Sequence, residues 1–111
     1  MKVNKELLKG STVSIILAML DRQSMYGYQM IKEIEKHSDG FFAFKEGTLY
    51  PILHSLEAKG MVESYWTETE GNRRRKYYRI TGKGRLHLEK RRSEWTIFYK
   101  AVNQVLGEGL G

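Results

Sequence analysis

Met61-Val62-Glu63-Ser64-Tyr65-Trp66-Thr67-Glu68-Thr69-Glu70-Gly71-Asn72-Arg73-Arg74-Arg75-Lys76-Tyr77-Tyr78-Arg79-Ile80 is the stretch that decides the fold. Its first arm, Met61–Thr67, contains Val62, Tyr65 and Trp66, residues suited to a pleated, half-buried strand. Glu68–Asn72 reads as a turn, because Gly and Asn adopt the backbone angles of a tight reversal at little cost. Arg73–Ile80 returns as a second strand with Tyr77, Tyr78 and Ile80. The two arms make a β-hairpin. An isolated hairpin is only marginally stable in water, so this one must pack on other elements.

Those elements lie on both sides. Upstream, residues 5–20 hold Leu7, Leu8, Val13, Ile15, Ile16, Leu17, Met19 and Leu20, a helix apolar on more than one side. Met25–Ser38 repeats Gly27, Met30, Ile31 and Ile34 at helical spacing, with Ser24 as its N-cap and Asp39-Gly40 as its stop. After the aromatic connector Phe41, Phe42 and Phe44, a third helix runs over Glu46–Lys59 and ends at Gly60. Leu49, Ile52, Leu53 and Leu56 form its buried stripe. Pro51 is tolerated only near a helix start, which predicts a late start, at Thr48, or a bend. Downstream, Thr81 caps a last helix that reaches Leu106, and residues 107–111 form a frayed tail. The fold class is mainly α with a β-hairpin: a winged helix-turn-helix over 1–81, followed by a C-terminal dimerisation helix over 82–106.

Charge distribution points to a partner. The chain has 111 residues and a formal net charge of +6. Residues 71–92 carry ten basic side chains and one acidic, a net +9, which leaves the rest at −3. A concentrated basic segment suggests a polyanion. Cysteine is absent, which excludes disulfides and thiolate chemistry and fits a reducing, cytoplasmic setting. No signal peptide is expected from the lysine-bearing start, and no apolar run is long enough to span a bilayer. His37, His54 and His87 lack metal-ligand spacing, and no nucleophile, phosphate loop or cofactor motif is present. The expectation is a binding protein with no cofactor and no catalytic residue.

The residues assign roles by position. In a helix-turn-helix the second helix enters the major groove, here Glu46–Lys59. Thr48, Tyr50, Pro51, His54 and Ser55 lie on its polar side, where they can reach bases, sugars or phosphates. Arg73, Arg74, Arg75 and Lys76 suit a wing that follows phosphates or enters a minor groove. Tyr26-Gly27-Tyr28 opens the second helix, and Tyr28 and Gln29 are expected to contact DNA there. Gly27 admits either a phosphate at the helix N-terminus or a neighbouring helix packed close. On the last helix, Leu88, Trp95 and Val102 repeat at seven, with Phe98 and Val105 between them and Tyr99 and Leu106 widening the stripe. A seam of this kind calls for a second copy, and Arg91 and Arg92 interrupt it near its start.

Glu46-Gly47-Thr48-Leu49-Tyr50-Pro51, with Leu53, Leu56, Glu57 and Gly60 after it, resembles the recognition helix of the PadR family of transcriptional regulators. Arg74-Arg75-Lys76-Tyr77-Tyr78-Arg79-Ile80-Thr81 with Gly84 is similar to that family's wing strand, and Leu17–Leu20 with Tyr26-Gly27-Tyr28 to its first two helices. The short last helix resembles the compact branch that includes a multidrug-responsive lactococcal regulator. The resemblance implies a homodimeric repressor built through the first and last helices, Leu8 included, on inverted-repeat operator DNA. It also implies a planar aromatic or cationic effector held at Trp95, with Leu7, Gly10, Val13, Ser14 and Tyr99 around it. Lys45 stands where the family usually has a serine cap, and it could meet a phosphate instead. Two other readings remain open at this point: a winged-helix DNA binder without an effector, and a winged-helix protein-interaction module.

Overall fold

The computed structural model describes residues 11–107. Helix α1, Thr12–Arg22, buries Ile16, Leu17, Met19 and Leu20. The sequence ends this helix at residue 20, yet it continues through Asp21 and Arg22. Asp21 accepts a hydrogen bond from Arg85 Nε at 2.9 Å, which ties the last turn to the start of the C-terminal helix. Gln23 then turns extended.

Met25 and Tyr26, expected at the start of the second helix, instead form a two-residue strand, β1. A strand paired on one side only offers a free edge of backbone groups. Here β1 fills the free edge of β3, Arg73–Ile80, with Met25 opposite Tyr78 and Tyr26 opposite Tyr77. Helix α2 therefore begins at Gly27 and runs to His37, and Ser24 is not its cap. Ser38 closes it: its hydroxyl donates to Ile34 O at 2.8 Å and accepts from Phe42 N at 3.0 Å.

Helix α3 spans Glu46–Ala58 and starts at Glu46, not later, with Pro51 well inside it. The start is fixed by Lys45, whose carbonyl accepts from the backbone N–H groups of Thr48 and Leu49 at 3.0 Å. Leu49, Leu53 and Leu56 face the core. Strand β2, Val62–Thr69, pairs antiparallel with β3 from Val62–Ile80 to Thr69–Arg73. Glu68 and Thr69 thus belong to the strand rather than to the turn. The reversal needs three residues only, because Gly71 (φ 80°) and Asn72 (φ 62°) both take left-handed angles. The sheet has three strands, in the order β1-β3-β2.

Helix α4, Gly82–Leu106, opens on the expected cap, with Thr81 Oγ1 accepting from Gly84 N at 3.1 Å. Its first turn lies against the base of the sheet. A Cβ on Gly84 would collide with the Met61 carbonyl oxygen and Ile80. The core gathers Ile16, Leu17, Met30, Leu49, Leu53 and Tyr78 from helices and sheet alike. Leu88 joins this core at 1% exposure and so leaves the seam to which its heptad position assigns it. Its turn of α4 still lies over the chain's own domain, where an apolar side chain is covered from within. Beyond it the helix projects, and the molecule measures 56 Å in its longest direction against 31 and 22 Å in the others. The architecture is a winged helix-turn-helix with a long C-terminal helix.

Candidate nucleic-acid interface

The recognition helix presents two polar lines. Thr48, Pro51 and Ser55 follow one another at helical spacing and are exposed. Tyr50 and His54 are displaced around the helix towards the wing, their rings 6.5 Å apart. A cleft of about 640 Å³ separates this second line from the hairpin. Tyr28, Tyr50 and His54 line it on the helical side, and Arg73, Arg74, Arg75 and Lys76 on the wing side. Seven of the expected DNA residues thus meet in one place. Thr48, Pro51, Ser55 and Lys45 are exposed outside the cleft. Gln29 is half-buried, and its Oε1 is buried without a hydrogen-bond partner among the described residues.

Gly27 is buried directly beneath Tyr50, and a Cβ there would collide with the phenol oxygen. Close packing of α3 on the start of α2 therefore explains this glycine. The Tyr50 phenol is raised above its ordinary value, first by burial, then by the charges of Glu46 and Tyr78. Burial, then Glu57, raises Tyr78 likewise. Both remain neutral hydrogen-bond donors at physiological pH.

The wing cations differ in their partners from the arginines of the sheet base and of the last helix. Arg79 pairs with Glu63 at 2.6 Å, Arg85 with Asp21 at 2.9 Å and Arg92 with Glu89 at 3.0 Å. Among the described residues, none of Arg73, Arg74, Arg75 or Lys76 has a carboxylate within ion-pair distance. Aromatic rings carry three of them instead. Arg75 lies over Tyr26 at 4.3 Å, Arg74 over Trp66 at 5.0 Å and Lys76 over Tyr78 at 5.6 Å. A ring face steadies a cation without neutralising it, so the charge stays available to an anion. The sequence places Trp66 on a strand without assigning it a role, yet it lines the cleft and is 57% exposed. The signal for its direction was its register opposite Lys76, which a strand pattern alone does not supply.

A second exposed surface occupies the outer half of α4. Trp95 meets Tyr99 edge-on at 5.0 Å and Phe98 at 6.2 Å. Phe98, Val105 and Leu106 are exposed, and Val102 is half-buried. Val13 and Ser14 on α1 are half-buried. Leu7, Leu8 and Gly10 lie outside the described residues. Among the described residues no helix is long and apolar enough to cross a membrane, and no cluster of His, Asp or Glu could hold a metal ion.

Comparison with known proteins bears on the whole arrangement. Residues 16–90 match the transcriptional regulator PadR-like family. An uncharacterized protein of Lysinibacillus sphaericus is 34% identical over 108 residues, 97% of this chain and 98% of that protein. The structure of a transcriptional regulator from Clostridium thermocellum superposes with a TM-score of 0.83 at 33% identity, covering 92% of this chain and 96% of that one. A PadR-like transcriptional regulator from Bacillus cereus gives a TM-score of 0.80 at 31% identity, covering 91% and 96%.

Proposed function

The chain belongs to the PadR-like family of transcriptional regulators, which are not enzymes, and from that premise we propose that it represses transcription by binding inverted-repeat operator DNA as a homodimer. The observation that carries the DNA reading is the cleft whose four cations pair with no carboxylate, although Glu46 at the start of α3 also lines it. Duplex DNA supplies the missing anions at regular spacing. Thr48, Pro51 and Ser55 face the major groove, Tyr28, Tyr50 and His54 flank it, and the wing runs along the neighbouring backbone. Lys45, at the foot of α3, is exposed beside the path of a phosphate. Residues 1–81 carry this surface, and 82–106 carry the subunit contact.

The apolar outer half of α4 supports the dimer. Trp95, Phe98, Val102 and Val105 form one stripe that a single chain leaves open, and a two-fold partner would cover it. Trp95 of each subunit would then stand near the axis, where two indole faces could hold a planar aromatic or cationic effector that releases DNA.

The test is binding to DNA from upstream of its own gene across a salt series. A steep loss of affinity with salt is expected, about 0.9 in log–log slope for each phosphate neutralised. Salt-independent binding, or none, refutes the DNA reading and leaves a protein-interaction module. For the effector, planar cationic dyes should quench the emission of a W66F protein, whose remaining tryptophan is Trp95. Unchanged emission would leave a DNA binder without a small-molecule input.

A further inference from the structure

We propose that Trp66 is itself a DNA contact, an apolar wedge on the wing with Arg74 held ready above it. The inference rests on the DNA reading above and adds to it a contact that does not depend on charge.

Alternation along β2 places Val62, Ser64 and Trp66 on one face of the sheet. Val62 is buried at 2% and Ser64 is half-buried, with its hydroxyl hydrogen-bonded to the Glu57 carboxylate. Trp66, two residues further out, has passed the end of the core and is 57% exposed in the cleft. A large ring in that position contributes little to the fold. Cations stand beside it: Lys76 is opposite in the register, and the Arg74 guanidinium lies 5.0 Å from the ring centroid, while Glu68, on the same face and opposite Arg74, forms no ion pair with it.

This pairing leaves each group free for a different part of a nucleotide. A guanidinium over an indole offers its edge N–H donors outwards, where a phosphate can take them without breaking the ring contact. The rest of the indole is open to the flat or apolar parts of DNA, a deoxyribose or an unstacked base step, as apolar side chains are used in the minor groove. Ordering Arg74 in advance lowers the entropy cost of binding. An acidic protein could satisfy the cations. It offers no regular succession of sugar between phosphates to match an apolar ring flanked by Arg74 and Lys76.

The wild-type chain labelled with 5-fluorotryptophan has two fluorine signals, and a W66F protein assigns them. Adding upstream duplex DNA should shift the Trp66 signal and abolish its H2O/D2O difference. W66A should bind about tenfold more weakly at fixed salt, as when one stacked aromatic ring is removed, with an unchanged salt slope. R74A should instead lower the slope by about 0.9. W66F, which keeps a flat ring, should retain most of the affinity. Thermal unfolding of each variant separates a folding defect from a binding one, and the fluorine shift needs no substitution at Trp66. A Trp66 signal unmoved by DNA, or W66A binding like wild type, overturns the inference. If the wild-type chain binds with a steep salt slope in that case, the DNA reading stands and only the wedge falls. If the wild-type chain does not bind DNA, both fall.

Discussion

The two tryptophans are exposed to similar degrees, Trp66 at 57% and Trp95 at 49%, yet they belong to opposite kinds of surface. Trp66 sits among Arg74, Lys76 and the recognition helix. Trp95 sits against Phe98 and Tyr99 on a projecting helix. Exposure alone therefore says little about what an aromatic side chain is for; its neighbours decide. Charge beside a ring prepares it for a polyanion, whereas more rings and aliphatics beside it leave an apolar stripe that water does not favour.

The sharpest way to break this contrast is to put charge into the apolar surface. Phe98→Asp with Val102→Asp should reduce the mass by light scattering to that of a single chain, 13.0 kDa. Operator affinity should fall by about 100-fold or more, as expected when two half-sites are no longer bound together. A variant that stays dimeric would show that the stripe around Trp95 is not the subunit contact. The reverse change strips charge from the other surface. Replacing Arg73, Arg74 and Arg75 by alanine should lower the salt slope by about 0.9 for each phosphate no longer neutralised, with the mass unchanged. An unaltered slope would place the DNA-binding surface elsewhere.

Smaller effects test how the two surfaces are joined. Gly84→Ala places a methyl group against the Met61 carbonyl, and backbone cannot move aside as a flexible side chain can. It should cost about 1–3 kcal/mol in chemical denaturation, as overpacking does, and weaken DNA binding by changing the angle between α4 and the wing. The smallest effect is a pH dependence. Tyr50 and Tyr78 have raised phenol values in the folded state. Their contribution to stability is therefore complete below the unfolded tyrosine value and is lost as pH rises through the higher folded values. The denaturation midpoint should fall more steeply above pH 10 in wild type than in Tyr50→Phe, the ordinary tyrosine value being 10.0.

The sequence was most legible where local chemistry acts alone. Thr81 caps α4, and Arg73–Ile80 is a strand with the bounds its composition suggests. It was less legible where a distant segment decides. Met25 and Tyr26 have helical neighbours, but the open edge of β3, some fifty residues on, takes them into the sheet. Leu88 keeps heptad time with Trp95, but a period does not say which of two surfaces covers a residue, and here it is the chain's own core. Gly27 was ambiguous until Tyr50 appeared above it. In the candidate interface, composition marked the wing cations. It did not show that Tyr50 and His54 turn towards them while Thr48, Pro51 and Ser55 face outwards, because that depends on how α3 is rotated in its seat.

Thr81 does more than begin a helix. Its hydroxyl donates to Gly60 O at 2.6 Å as well as accepting from Gly84 N, and its backbone N–H donates to Met61 O at 3.1 Å. The end of the recognition helix, the root of the wing and the foot of α4 are thus pinned at one point. From that pivot α4 extends over 25 residues, a lever of about 37 Å on which a rotation of about 5° moves the far end by roughly 3 Å. In the homodimer proposed above the leverage also runs the other way. A shift of the far ends by the width of a flat ring turns each foot by a few degrees, and with it the helix and wing pinned there.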